Sequence, residues 1–164
     1  MALQKEWLEG QTRKIELPDD HEGAVGCYLH FLCTRQVPED QFVDQLAELY
    51  VFGQKLLDIE FKNAVLARIL QKAVELWNRD VFYDYFTGSK IAIDIMYEGT
   101  PSGSLGRELL VDIFFAASES NMMVNDFHPE FARDLLVKFM DHGSRPALHE
   151  VKLEWYQEKV EEEK

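Results

Sequence analysis

Basic charge is scarce in this chain. Seventeen lysines and arginines stand against thirty aspartates and glutamates, for a net charge of −13. A nucleic-acid duplex or an anionic bilayer would repel that field, and no basic stripe rises against it. Neither nucleic acid nor membrane is therefore an expected partner. Long apolar runs are missing as well. The longest, "AVGCYLHFLC" at residues 24–33, falls well short of the ~20 residues that span a bilayer. The opening "MALQKEWLEG" lacks the apolar segment of a secretory signal. An intracellular location, nucleus or cytoplasm, is expected.

Cysteine is nearly absent too. Cys27 and Cys33 are the only two. Six apart on one helix, they point in different directions, and both are expected as buried thiols in a reducing compartment. Cys27, His30 and Cys33 also form a three-step series that must be weighed as a metal site. A structural zinc wants four ligands in a tetrahedron, whereas steps of three fan the side chains over roughly a third of a turn. A fourth ligand, such as His21, would have to come from elsewhere. A helix face with two small thiols fits better, so no metal is expected.

Motifs of catalysis are missing. There is no G-x-S-x-G, no P-loop and no G-x-G-x-x-G. "SGSLGRE" sets glycines before a helix, as phosphate sites do, but it lacks the following lysine and the preceding apolar strand. His128 and His142 flank one helix and read as helix-end residues. Acidic pairs are frequent, as thirty acidic residues make them by chance. The expectation is no catalytic residue, no cofactor and no enzyme.

What is present is helix-forming sequence. Residues 2–9 read as a helix end stopped by Gly10. "RKIEL" at 13–17 alternates like a short strand, with Ile15 and Leu17 inward, and Pro18 ends it. Asp19 or Asp20 can cap the next helix, which runs to about Cys33 with Ala24, Tyr28, Phe31 and Leu32 on its apolar face. Pro38 is expected to begin another, with Glu39 and Asp40 in its first turn. Phe42, Leu46, Leu49 and Gly53 recur along it, and Val51, Phe52, Leu56 and Leu57 widen the face. Asp58 can cap its successor, where Phe61, Ala64, Val65 and Ile69 continue the stripe. "KIAIDIMYEGT" fits either helix or strand over residues 90–97. "GTPSGS" is a loop, and Ser104 can cap a helix burying Leu105, Leu109, Ile113 and Phe114. Pro129 starts a helix with Phe131, Leu135, Leu136 and Phe139 inward, ended by Gly143. A last helix follows Pro146, with Leu148, Val151 and Trp155 on one side. A lone strand cannot satisfy its backbone, so "RKIEL" needs a partner, for which "IAIDI" is the internal candidate.

Two long stretches carry a family resemblance. "EGQTRKIELPDDHEGAVGCYLHFLCTRQV" and "LAELYVFGQKLLDIEFKNAVLARI" resemble the second half of a BTB (POZ) domain. The matching positions are Ile15, Leu17, Asp19, Asp20, Leu32, Thr34, Leu49, Tyr50, Lys55, Lys62, Asn63 and Ala64. Cys33 departs from the usual tyrosine and Gly53 from the usual alanine. "IMYEGTPSGSLGRELLVDIFF" resembles the C-terminal region of BTB proteins common in filamentous fungi, with Gly99 in place of an asparagine. The fold this implies is mainly α. Residues 1–75 would be the C-terminal half of a BTB/POZ (α+β) domain with one short strand, and residues 76–164 a helical C-terminal region.

The resemblance lacks the family's first half, with its three strands, two helices and "H-K-x-x-L" signature, and with most of its homodimer interface. Leaving ten Leu, Ile or Phe side chains uncovered would cost about 15–30 kcal/mol, against a net stability of ~5–15 kcal/mol. The helices must then repack, or the product is truncated. Many BTB proteins are adaptors that dock on the cullin scaffold of a ubiquitin ligase through a "ϕ-x-E" element. Its matching positions here are Trp7 and Glu9. Residue types alone leave Trp7 as a core plug or an exposed anchor; the resemblance implies the anchor. The implied function is a non-catalytic protein–protein interaction module of that kind. The alternative is a truncated remnant that binds other proteins, or none, without cullin contact.

Overall fold

The computed structural model describes residues 22–79, 90–117, 127–141 and 146–159. The expected helix over 2–9, the strand "RKIEL" and the caps Asp19 and Asp20 lie outside these residues. Within them the chain is mainly helical. Six helices follow in order: α1 (Glu22–Thr34), α2 (Val43–Leu56), α3 (Ile59–Asn78), α4 (Lys90–Gly99), α5 (Leu105–Ala117) and α6 (Pro129–Asp141). Two short 3-10 turns, Leu148–Glu150 and Leu153–Tyr156, close the described chain.

The α2–α3 hairpin is set by its turn. Leu57 sits in the left-handed region at φ 57°, and the amides of Leu57 and Asp58 donate back to the Gln54 and Gly53 carbonyls. Asp58 then caps α3 as expected: its Oδ1 accepts the Phe61 N–H at 2.9 Å. The second carboxylate oxygen accepts the Tyr28 hydroxyl, also at 2.9 Å. One aspartate thus starts α3 and ties α1 to it. Around it Tyr28 packs edge-on against Phe52 and Phe61, with ring centroids at 5.7 and 5.0 Å. Gly53 lies under this turn. A Cβ there would meet Lys62 Cγ at 2.9 Å and Phe61 Cδ1 at 3.0 Å, so the glycine admits the close approach of α3.

Helix α2 packs chiefly on α3 and α4, and α5 on α6. The apolar stripe of α3 is buried as expected at Phe61, Val65 and Ile69. It continues through Ala73 and Leu76, so α3 runs unbroken past residue 75. The ambiguous "KIAIDIMYEG" is helix. Ala92 with Met96, and Ile93 with Tyr97, repeat at four-residue spacing and are buried, while Ile91 is exposed. The internal strand partner for "RKIEL" is thereby removed. Helix α5 is covered on nearly every side, with Leu109, Leu110, Ile113, Phe114 and Phe115 buried, as a helix apolar all round should be.

Other expectations are corrected. The helix foreseen from Pro38 begins at Val43: the Gln45 side chain takes the Phe42 N–H at 2.9 Å, and Arg68 holds the Glu39 carbonyl, which keeps residues 38–41 in a turn. Phe42 therefore points outward, and Leu56 and Leu57 stand exposed at the other end of α2. Ser104 stands directly before α5, at the position expected for its cap. It donates to the Tyr50 hydroxyl oxygen at 3.3 Å, and its backbone carbonyl receives the first α5 amides. The helix foreseen after Pro146 is two 3-10 turns. The break shifts the helical phase, so Tyr156 is buried with Leu148 and Val151, and Trp155 is exposed.

Candidate interaction surfaces

Trp7 and Glu9, the residues implied as partner-binding, lie outside the described residues, as do His21 and His142. Cys27 is half-buried, and burial followed by the nearby Asp40 carboxylate pushes its thiol pKa up. Cys33 is exposed, which corrects the expectation of two buried thiols. The same six-residue separation that turns Cys27 toward α2 turns Cys33 away from it. Among the described residues no group of three His, Cys, Asp or Glu side chains is placed to hold a metal. His128 does act at a helix end. Its Nδ1 accepts the Glu130 N–H at 3.3 Å in the first turn of α6, and its ring lies 5.3 Å from that of Tyr97.

Helix α1 is apolar almost all round but has only one covered face. Ala24 and Phe31 are buried and Tyr28 half-buried against α2 and α3. Opposite them Leu29 is 56% exposed and Leu32 45%, with Cys33 alongside. Leu32 had been expected inward. Phe31, one residue earlier, fills that place against Phe61 at 5.0 Å, which turns Leu32 by the ~100° of one helical step toward solvent. Leu29, Leu32 and Cys33 share one face at i, i+3 and i+4.

The second surface is a groove between α5 and α6, built around Arg107. This guanidinium is buried yet fully engaged. Its Nε donates to Thr100 Oγ1 at 3.1 Å and Nη1 to Glu130 Oε2 at 2.7 Å. Its Nη2 donates to the carbonyls of Tyr97 and Thr100. It also stands 4.5 Å from the centroid of the Tyr97 ring. One side chain thus joins the end of α4, the loop, α5 and α6, using the planar fork that only arginine has.

Further along α5, Asp112 accepts the Tyr156 hydroxyl at 2.5 Å. Lys138 Nζ lies 2.6 Å from Asp112 Oδ1, off that oxygen's hydrogen-bonding direction, so charge rather than an aligned bond holds the pair. Tyr97 donates to Asp134 Oδ2 at 3.1 Å. Burial first, and then the carboxylate partner, raises the hydroxyl pKa of both Tyr97 and Tyr156. Between these groups is a cavity of about 350 Å³, lined by polar side chains with Val111 and Val137 as its apolar wall. Elsewhere on α6, away from the cavity lining, Leu136 is 60% and Met140 77% exposed. Leu136 had been expected inward; Leu135 takes that place, with Phe131 one turn before it.

A third arrangement clips the end of the described chain to the hairpin. Lys62, buried on α3, reaches Gln54 Oε1 at 3.1 Å and both Glu158 carboxylate oxygens at 2.6 and 2.7 Å. Asn63 beside it exchanges two bonds with the Glu158 backbone, each 2.9 Å long.

Sequence reasoning did not single out Arg107, Lys62 or Glu158 for these contacts. The available signal was a cation inside an apolar period: Arg107 amid "LGRELLVDIFF" and Lys62 amid "IEFKNAVL". No protein-family model, no curated protein and no solved structure matches this chain.

Proposed function

We propose that the chain is a non-catalytic protein–protein interaction module. The supporting observation is the outer face of α1, where Leu29 and Leu32 are exposed on a helix apolar nearly all round. Such a face is stabilised by a cover, and a partner protein supplies one. The resemblance to the BTB family adds a partner: the cullin scaffold of a ubiquitin ligase. Trp7 and Glu9 would make that contact, and the hairpin would adjoin it with Leu56 and Leu57 at its turn. A pull-down with a cullin tests this, comparing the wild type with Trp7→Ala plus Glu9→Lys. Loss of binding in the double variant is the expected result. Equal binding, or none by either protein, removes the cullin docking.

A second reading keeps the interaction role without the cullin. It is favoured by the groove between α5 and α6, which lies far along the chain from Trp7 and Glu9.

A further inference from the structure

The end of the described chain lies on the helices much as a bound peptide lies on its receptor. Residues 146–159 form two 3-10 turns and no α-helix. They pack against α3 and α5. Of these fourteen residues only Leu148, Val151 and Tyr156 are buried, whereas α2, of the same length, buries seven. Between the anchors Glu150, Lys152, Glu154, Trp155 and Gln157 are exposed. Separate anchors joined by exposed chain describe a ligand in a groove better than an element of the core.

The groove reads this segment by chemistry that another chain could also present. Asn63 donates its side-chain N–H to the Glu158 carbonyl and accepts the Glu158 N–H, each at 2.9 Å. Such a pair grips a peptide backbone whatever its side chain. Gln157, just before it, is extended at φ −91° and ψ 123°. Selectivity comes from the neighbours. Lys62, 5% exposed, takes both oxygens of the Glu158 carboxylate. Asp112 on α5 accepts the Tyr156 hydroxyl at 2.5 Å. Tyrosine and glutamate two residues apart, after the aliphatic anchors Leu148 and Val151, are the features read. A buried ammonium demands a carboxylate, and that demand is the same whichever chain supplies it.

We propose that the α3–α5 groove is a docking site for an extended Tyr-x-Glu segment of a partner protein, and that the chain closes it with residues 148–158 as an autoinhibitory strap. The partner's glutamate meets Lys62, its backbone meets Asn63, and its tyrosine meets Asp112. This rests on the interaction-module reading and gives that module a partner chemistry, through residues other than Trp7 and Glu9.

Hydrogen exchange on the intact wild-type chain is the first test. The Val151 and Glu158 amides are bonded to the Leu148 carbonyl and to Asn63. They should exchange by local opening, ~10-fold or more faster than the α3 amides of Val65 and Ile69. Equal protection would make the strap an inseparable part of the core and overturn the proposal. The second test is fluorescence anisotropy of a labelled peptide with the sequence of residues 146–159. It is added to the full-length wild type and to full-length Tyr156→Ser plus Glu158→Ala, in which the strap has lost both polar anchors. The variant should bind ~10-fold or more tightly than the wild type, whose own strap competes from within the molecule. Tyr156→Phe or Glu158→Ala made in the peptide should each weaken binding by ~10-fold, as should Asn63→Ala added to the variant. No binding by the variant, or an affinity indifferent to these changes, would overturn the site. A wild-type dimer that the peptide dissolves would give the groove to a second copy's strap and overturn the partner reading. If cullin capture succeeds while both tests fail, the module reading stands and this site falls alone.

Discussion

Lys62 Nζ lies 2.6 and 2.7 Å from the two carboxylate oxygens of Glu158, ninety-six positions further along the chain. The lysine side chain is 5% exposed and the glutamate 30%. The two partners are therefore unequal. Losing one partner of a fully buried pair costs ~3–5 kcal/mol. Water reaches Glu158, so Glu158→Ala should lose about 2 kcal/mol, because it strands a buried ammonium. Lys62→Met keeps the stem and leaves a carboxylate that can turn to solvent, so its loss should be smaller, under about 1 kcal/mol. Urea midpoints of the two variants decide this; equal losses would show that the pair is not asymmetric.

Asp58 joins two functions that mutations can separate. Asp58→Ala removes the α3 cap and the Tyr28 bond together and should cost about 2 kcal/mol, ~1 for each. Tyr28→Phe removes only the second. The same bond predicts alkaline sensitivity. Burial first, and then the hydrogen bond to Asp58, pushes the Tyr28 hydroxyl pKa up to about 12 from 10.0. The folded state then holds its proton where the unfolded chain releases it. This contribution is complete below pH ~10 and lost as pH rises toward ~12. Urea midpoints should fall across that window, and fall less steeply in Tyr28→Phe. A parallel slope in the variant would assign the effect to the other buried tyrosines, Tyr50, Tyr97 and Tyr156, instead.

Arg107 should resist conservative replacement. Its fork serves a carboxylate, a hydroxyl and two carbonyls at once, and a lysine ammonium cannot reach all four. Arg107→Lys should lose about 3 kcal/mol. Arg107→Met should fall within ~1 kcal/mol of it. A lysine variant with a wild-type melting temperature would contradict this role.

Two glycines give opposite forecasts from the same substitution. At Gly106 a Cβ would stand 2.5 Å from Tyr50 Cε1 and 2.8 Å from Met96 Sδ. Overpacking of ~1–3 kcal/mol outweighs the ~1 kcal/mol that alanine gains in a helix, so Gly106→Ala should lower the melting temperature. At Gly26 nothing lies within 4 Å of the added Cβ. Gly26→Ala should stabilise by ~0.5–1 kcal/mol. Calorimetry on both variants checks the pair, and a gain at Gly106 would refute the close approach of α2 to α5.

The sequence was most legible where one local rule governed. Asp58 preceding an apolar stripe predicted both the cap and the face of α3, and both depend on residues within a few positions. It was least legible where covering depends on neighbours distant in sequence. Ile91, Ile93 and Ile95 alternate like a strand, yet the buried pairs are Ala92 with Met96 and Ile93 with Tyr97. Packing against α2 selects those, and no local count contains it. Leu32 and Leu136 were placed inward because each prolongs an apolar period. Phe31 and Leu135, the adjacent residues, occupy the space. The Arg107 and Lys62 contacts escaped for a related reason. A cation in an apolar period signals a buried partner, but Glu130 and Glu158 are identified only once the helices are packed.

The clip between Lys62 and Glu158 also has a consequence in time. A ribosome adding ~5–20 residues per second needs ~5–20 s to travel from one to the other. Throughout that interval the hairpin has only Gln54 to receive its lysine, and Asn63 lacks its two backbone bonds. The groove is still unfinished too, since Tyr156 has not reached Asp112. Final consolidation of α3 and of the α5–α6 surface must therefore wait for the last stretch of the described chain, and an attachment that holds that stretch away would leave both incomplete.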